Sequence, residues 1–555
     1  MKNFADHVDY ILVGAGSAGC VLANRLSADP SVRVLLLEAG VPDTRMEIPV
    51  PGAFYKLFKT EVDWAYSSTP QPGLNGRSLF MPRGKTLGGS SSINAMIYIR
   101  GHRSDYDHWQ ELGNPGWDYE SVLPMFRRSE DFADGADEFH GEGGDLTVSR
   151  PRFPHEMGEA FIQSAEALGF DRNNDFNGEH QSGFGRYHVN IRNGKRCSSA
   201  VAFLRPILNR PNLTVITQAQ ASEILMEDGR ATGVRCMLTE GSDGRQRRVQ
   251  DYHCRGEVIL CGGAINSPQL LMLSGIGPKN HLEELGLPVL RDLPGVGANL
   301  QDHLFAPLVF TNRQRNSMDT VDRPAHLLPN LIQFFLLDRG PLTSNIAESG
   351  GFIRTVQGLR APDMQFHFIP AFFVNHGFER PDGHGLSLCA TLLAPQSRGS
   401  IQLSSADPLA PPVIDPQHYS HPADLEAMKR GVRTALEILR QEPMEPYLGK
   451  PFSPNEIWPS DAVLEQWIRN TSEALYHPVG TCKMGQDSMS VVDASLRVHG
   501  IKGLRVADAS IMPEIVRGNT HAPTVMIGEK AADLILEDAR HSQRSHSPVK
   551  KTVNG

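Results

Sequence analysis

The sequence of 555 residues has few cysteines and no pattern among them. There are seven, an odd number, and no CxxC pair or Cys/His cluster has the spacing of metal ligands. We therefore predict free thiols in a reducing compartment and no bound metal.

Long apolar runs and an excess of positive charge are also missing. No stretch is long and apolar enough to cross a membrane as a helix, and the N-terminus has no signal-peptide cleavage pattern. The formal net charge of -9 at pH 7 offers no basic face to a nucleic acid. We predict a cytoplasmic protein without a nucleic-acid partner. Peripheral contact with the inner face of a membrane stays open, as does the oligomeric state.

The composition is typical of a soluble globular protein, with 40% apolar and 21% charged residues. The chain is longer than one hydrophobic core usually serves, so we expect two or more domains. Residues 541–555 are polar and aperiodic, which predicts a disordered tail.

The segment Val8–Gly40 has the pattern strand, tight turn, helix, strand, with GxGxxG in the turn. Gly14 allows the sharp turn, Gly16 lets the backbone approach a pyrophosphate, and Gly19 lets helix and strand pack closely. Glu38 closes the second strand, where an acid can accept hydrogen bonds from ribose hydroxyls. The motif predicts dinucleotide binding but does not distinguish FAD from NAD.

Four further motifs follow. GKTLGGSSSINAM, within residues 82–101, is rich in backbone N–H and hydroxyl groups, and apolar residues follow it directly, which disfavours a flexible linker. GAINSPQLLMLSGIG (263–277) follows an apolar run and indicates strand, loop and helix. YHPVGTCKMG (476–485) has neither helical nor strand periodicity, and GNTHAPT (518–524) leads into an amphipathic helix.

These five motifs, in this order, resemble the glucose–methanol–choline (GMC) family of flavin-dependent oxidoreductases, from about Val8 to Leu536. Within the family, the chain looks most like bacterial choline-dehydrogenase-type and aliphatic alcohol dehydrogenases. The resemblance implies FAD and an α/β (α+β overall) fold. It also implies a discontinuous, Rossmann-like FAD-binding domain and a substrate-binding domain built on an antiparallel sheet with helices. We predict the FAD-binding domain at residues 1–149, 191–304 and 472–540, and the substrate-binding domain at 150–190 and 305–471.

The resemblance places the catalytic acid/base at His477. Histidine suits this role because its unperturbed pKa of about 6.5 is near working pH, and Pro478 biases the backbone before it toward extended conformations. His521 falls where family members carry Asn or His, and where choline-type relatives often show Asn. We expect His477 to be the principal base and His521 to hydrogen-bond the substrate oxygen. The division of proton transfer between them stays open.

The resemblance also locates the cofactor contacts. Some members carry, at the position of Ile93, a histidine that binds FAD covalently, so we predict non-covalent FAD here. Trp64 is as consistent with a core aromatic as with a flavin cover. The full set of predicted FAD contacts is Gly14, Gly16, Ser17, Ala18, Gly19, Glu38, Ala39, Trp64, Thr86, Gly89, Asn94, Ala95, Met96, Ala221, Asp508 and Ala509.

The implied reaction is oxidation of a primary alcohol to the aldehyde, with electrons passed to a quinone-type acceptor. Glu348 is a candidate substrate contact, but a carboxylate in this segment does not establish choline as the substrate. The aromatic segment 364–378 fits an apolar wall or a sheet core, with core as the default. Choline dehydrogenase proper, an oxidase using O2 and a non-redox FAD lyase stay open. An NAD-linked dehydrogenase would leave four motifs without a role.

Overall fold

The structure is a computed structural model that describes residues 8–240 and 246–546. It contains two seven-stranded sheets. The first is mostly parallel. Its strands, in spatial order, are Leu213–Ile216, Val34–Leu37, Val8–Val13, Gln246–Leu260, Arg230–Glu240 and Ala219–Glu227, with Leu504–Val506 beside Gln246–Leu260.

The predicted strand–turn–helix–strand unit opens this sheet. Strand Val8–Val13 pairs in parallel with Val34–Leu37, and helix Ser17–Leu26 connects them. Gly14 has a φ of +106°, which favours glycine, and a Cβ on Gly19 would lie 1.9 Å from the Gly14 carbonyl oxygen. Both glycines are therefore needed where the chain turns from strand to helix.

The second sheet is antiparallel and confirms the fold class. Its strands, in spatial order, are Leu448–Ser453, Leu304–Asn312, Gly385–Leu392, Met364–Ile369, Ser349–Ile353 and Gly183–Arg186, with Glu473–Ala474 beside Leu304–Asn312. Helices Glu156–Ala167 and Pro422–Leu439 pack against this sheet. The residue boundaries of the two domains stay a prediction.

The remaining elements connect the sheets or cover them. Strands Ser400–Gln402 and Val413–Asp415 form a separate antiparallel hairpin. The other helices are Arg103–Glu111, Tyr119–Ser129, Gly263–Leu273, Lys279–Glu284, Pro324–Leu337, Asp461–Thr471 and His521–His546.

The last helix corrects the tail prediction, because it continues to His546, inside the segment predicted to be disordered. The helix packs against helices Ser17–Leu26 and Tyr119–Ser129. Residues 547–555 of that prediction lie outside the described residues. Across residues 8–240 and 246–546, no helix combines the length and apolar character needed to span a bilayer.

Candidate active site

A cavity of about 290 Å³ lies between the loops of the first sheet and one face of the second. From the second sheet, Phe305, His367, Ile369 and Cys389 line it. The segment Met364–Ile369 is thus both sheet core and cavity wall. Of the predicted site residues, the cavity lining brings together Gly14, Gly16, Ser17, Ala18, Glu38, Ala39, Trp64, Gly89, Asn94, Ala95, Met96, Ala221, His477, Asp508, Ala509 and His521.

Three predicted site residues lie outside the cavity lining. Gly19 serves the packing described above, and the Thr86 hydroxyl donates to the carbonyl oxygen of Val41 at 2.7 Å. Glu348 is a correction. Its buried carboxylate accepts hydrogen bonds from the Ser344 hydroxyl and from the backbone N–H of His155, and burial raises its pKa to about 7. The predicted substrate contact of Glu348 is therefore wrong in this geometry.

The loop that carries His477 is held from two sides. The Asp302 carboxylate accepts a hydrogen bond from the backbone N–H of His477 at 2.7 Å. The Arg83 guanidinium donates to the carbonyl of the preceding Tyr476, whose φ is +69°. These contacts fix the position of the histidine in a segment without regular secondary structure.

The hydrogen-bond partners of the His477 ring define its tautomer. Nε2 of His303 lies 3.1 Å from the carbonyl oxygen of Leu393, which only accepts, so this nitrogen carries the hydrogen. A neutral His303 then accepts at Nδ1, which lies 3.0 Å from Nδ1 of His477. His477 therefore donates from Nδ1–H and keeps the lone pair of Nε2. That lone pair meets the side-chain amide of Asn519 at 3.3 Å.

Burial keeps both imidazoles neutral. It lowers the pKa of His477 well below the ordinary histidine value, and the positive charge of Arg83 acts in the same direction. Burial also lowers the pKa of His303 to about 3 and raises the pKa of the neighbouring Asp302 carboxyl to about 7. Neutral His477 with an unprotonated Nε2 has the protonation state that a general base requires.

His521 lies in the same cavity but is not hydrogen-bonded to His477. Its Nδ1 is 3.0 Å from the hydroxyl of Ser17, and its buried Nε2 has no hydrogen-bond partner among the described residues. Burial lowers its pKa to about 4. The group that contacts His477 Nε2 is Asn519, two positions earlier in the same motif. The division of proton transfer between His477 and His521 stays a prediction.

The opposite part of the cavity has the features of a dinucleotide site. A Cβ on Gly89 would lie 2.8 Å from the Cα of Gly16, so the two glycine-rich loops meet backbone to backbone. The Glu38 carboxylate accepts from the backbone N–H groups of Ala15 and Gly40, both at 2.8 Å, and burial raises its pKa to about 7. The glycine-rich turn at the N-terminus of helix Ser17–Leu26, with Glu38 beside it, fits the pyrophosphate and ribose of FAD.

Two further predicted contacts lie on the cofactor side. The buried Asp508 carboxylate accepts from the backbone N–H of Gly263 at 2.8 Å and from the Ser267 hydroxyl at 2.6 Å, which ties two motifs together. Trp64 stacks on Tyr66 with ring centroids 5.6 Å apart. Trp64 thus lines the cavity and packs on the core at once, so both of its predicted roles are compatible.

Sequence reasoning missed three side chains around the site: Asn519, His303 and Arg196. Arg196 is buried and donates to the side-chain oxygen of Asn94 at 2.8 Å, and burial lowers its pKa to about 9. Of the three, only Asn519 lies within a motif, GNTHAPT, that could have marked it as a site residue. His303 and Arg196 lie in segments without a motif.

Comparison with known proteins identifies the family. The GMC oxidoreductase N-terminal model matches residues 8–305, and the C-terminal model matches residues 395–528. The chain is 44% identical to the alcohol dehydrogenase [acceptor] of Pseudomonas putida over 95% of each chain. It is 41% identical to the oxygen-dependent choline dehydrogenase of Brucella ovis, also over 95% of each.

Solved structures agree. Pyridoxine 4-oxidase from Mesorbium loti matches with a TM-score of 0.86 and 31% identity, covering 96% of this chain and 99% of that one. Formate oxidase from Aspergillus oryzae matches with a TM-score of 0.90 and 28% identity, covering 97% and 99%. The chain belongs to the GMC oxidoreductases and is a flavoprotein enzyme that uses FAD. Ile93 lines the cavity with an apolar side chain, which leaves the cofactor non-covalently bound.

Proposed function

We propose that this enzyme oxidises a primary alcohol with an apolar tail to the aldehyde, with His477 as the base. The observation that carries the proposal is the set of hydrogen-bond partners around the His477 ring, from which its tautomer is deduced. Its Nδ1–H is anchored on His303, and its Nε2 lone pair faces the cavity beside an amide donor. The P. putida relative, an alcohol dehydrogenase by name, supports the same reaction class.

The protein's own groups handle the proton and the oxygen. Nε2 of His477 takes the hydroxyl proton and becomes an imidazolium, while the amide N–H of Asn519 donates to the substrate oxygen as negative charge develops there. Bound FAD supplies the acceptor for the hydride that leaves the carbinol carbon. The nearby Arg83, which lines the cavity, adds positive potential that stabilises the alkoxide.

The cavity wall favours an uncharged substrate over choline. Phe54, Phe305, Ile369 and Phe373 line the cavity. Among the described residues, the lining carboxylates are Glu38 and Asp508, which belong to the cofactor loops. Aromatic faces alone can also hold a quaternary ammonium, so the preference for an uncharged alcohol rests on the carboxylate of Glu348 not reaching the cavity.

The electron acceptor is proposed to be a quinone-type molecule. The name of the P. putida relative, alcohol dehydrogenase [acceptor], supports transfer to an electron acceptor without naming its kind, whereas the B. ovis relative is described as oxygen-dependent. The two possibilities differ in one measurement. Reduced enzyme should be reoxidised faster by a soluble quinone than by air-saturated buffer.

The test is anaerobic flavin reduction. We expect hexanol or benzyl alcohol to bleach the flavin band near about 450 nm in the wild-type protein, and choline to bleach it more slowly. His477→Ala should keep bound FAD and lose the bleaching. His418→Ala is the matched control, since His418 is equally buried but does not line the cavity.

Two outcomes would contradict the proposal. Unchanged reduction in His477→Ala would remove the histidine from its role as base. A yellow wild-type protein that no alcohol bleaches would instead indicate a non-redox reaction of the same family.

A further inference from the structure

Three arginines are buried among the described residues, and one of them differs from the other two. Arg100 is 1% exposed and pairs with the Glu130 carboxylate at 2.6 Å. Arg505 is fully buried and pairs with Glu257, also at 2.6 Å. Arg196 is 3% exposed, and no carboxylate in the described part of the chain pairs with it. This is unusual, because a buried charge without a counter-charge is costly and most are paired.

The hydrogen bonds of Arg196 go to neutral groups alone. Nε donates to the carbonyl oxygen of Ile48 at 2.8 Å. Nη1 donates to the carbonyl and side-chain oxygens of Asn94 at 2.6 and 2.8 Å, and to the carbonyl oxygen of Ser91 at 3.2 Å. Nη2 is buried and has no hydrogen-bond partner among the residues that the structure describes. The guanidinium thus keeps both an unused donor and an uncompensated positive charge.

Arg196 lies directly behind the wall of the cofactor cavity. It does not line the cavity itself, but its partners Ser91 and Asn94 do. Its charge also acts on His521 in the cavity lining, because it is the second cause, after burial, that lowers the pKa of that histidine. Nδ1 of His521 lies 3.0 Å from the hydroxyl of Ser17, at the start of the helix that follows the glycine-rich turn. The uncompensated charge is therefore close to the residues that fit FAD.

We propose that bound FAD supplies the counter-charge of Arg196, which makes this arginine a positioning residue for the cofactor. FAD carries negative charge on its pyrophosphate in both redox states, and the flavin ring can gain more on reduction. The attraction acts through the residues of the cavity wall and needs no direct contact. Protein without the cofactor carries an unpaired buried cation, and FAD binding relieves the cost of that cation.

A purely structural role would need the hydrogen bonds of Arg196 but not its charge. Lysine at this position keeps the charge but cannot reproduce the planar set of donors. Glutamine keeps an N–H donor group and loses the charge. The two replacements therefore separate the effect of the charge from the effect of the hydrogen bonds.

The experiment measures the dissociation constant of FAD, by dilution of the oxidised holoenzyme and the fluorescence of the released cofactor. We expect Arg196→Gln to raise this constant at least ~10-fold, and Arg196→Lys to stay within about 3-fold of the wild type. Arg505→Gln is the matched control. It removes a buried arginine that already pairs with an acid, so it should keep the wild-type affinity. No alcohol enters this measurement, so its result is independent of the proposed substrate.

The reduction potential of the bound flavin, measured anaerobically against a redox dye, tells the two sources of negative charge apart. If the pyrophosphate is the only partner, oxidised and reduced FAD lose affinity equally in Arg196→Gln, and the potential stays unchanged. If the reduced ring is a partner as well, reduced FAD loses more affinity than oxidised FAD. Each further tenfold loss then lowers the potential by about 30 mV.

Two results would overturn the proposal. The first is wild-type affinity for oxidised FAD in Arg196→Gln. The second is an equally large loss of affinity in folded Arg196→Lys, because hydrogen bonds rather than charge would then hold the cofactor site together. If Arg196→Gln does not fold, Arg196→Lys still decides the question: near-wild-type affinity supports the charge, and a folded protein that no longer retains FAD overturns it.

Discussion

Replacing His303 by phenylalanine tests the tautomer argument most directly. His303 lies at 0% exposure and does not line the cavity, so the change leaves the surface that meets the substrate intact. It removes the acceptor that lies 3.0 Å from Nδ1 of His477. The Nδ1–H of His477 is then buried without a partner. The alternative is that the hydrogen moves to Nε2, and His477 then has no lone pair on Nε2 to accept the substrate proton.

The size of the effect follows from the cost of an unsatisfied buried donor. That cost is about 1–3 kcal/mol, and it disfavours the tautomer with a free Nε2 by about 5-fold to 150-fold. We expect the rate constant of anaerobic flavin reduction in His303→Phe to fall by a factor in this range. His303→Asn should lose much less, because the asparagine oxygen can take the place of the imidazole Nδ1 as acceptor.

The assay is stopped-flow reduction with a saturating alcohol, together with FAD content and melting temperature. His418→Phe is the control for removal of a buried histidine, and it should alter stability without slowing reduction. Equal rate constants in His303→Phe and His303→Asn, at equal FAD content, would refute the assignment of His303 as a positioning residue.

Two further predictions concern the base and the cofactor loops. Because the pKa of His477 is lowered, its neutral form persists to more acidic pH, so the reduction rate should be level from pH 8 to about 6.5 and fall only below that value. An acid limb centred above pH 6.5 in stopped-flow data would contradict this. Gly89→Ala should lower FAD content, because the added Cβ would lie 2.8 Å from the Cα of Gly16. Gly135 also has a positive φ, but a Cβ there meets no atom within 4 Å, so Gly135→Ala should keep its FAD. Equal ratios of flavin to protein absorbance in the two purified variants would contradict the prediction.

The parts of the molecule that could be predicted from sequence are those determined by neighbours in the chain. The turn at Gly14 and the acid at Glu38 belong to one continuous strand–turn–helix–strand unit, so their spacing in the sequence was enough to predict a dinucleotide site. Glu348 shows the limit of this approach. Its segment reaches the cavity through Ala347, but successive residues point in opposite directions, so the next side chain faces His155 instead.

His303 and His477 show a second limit. They are 174 positions apart, and their hydrogen bond exists because strand Leu304–Asn312 pairs with Glu473–Ala474 just beside them. No local pattern encodes that pairing, since either histidine could be a satisfied core residue on its own. Only the sheet register shows that one of them orients the other.

The low pKa of His477 makes it a weak base, and the groups around it bear on how it could still accept a proton. A base with a depressed pKa binds the substrate proton weakly, so proton transfer must be helped by stabilising its products. The positive charge of Arg83 contributes to the depression, and on the proposed mechanism it also stabilises the alkoxide that forms in the cavity. Asp302 accepts the backbone N–H of His477, so its part is to hold the base in place. On this proposal, a neutral residue in place of Arg83 should slow the proton transfer, because the alkoxide would lose its nearby positive charge.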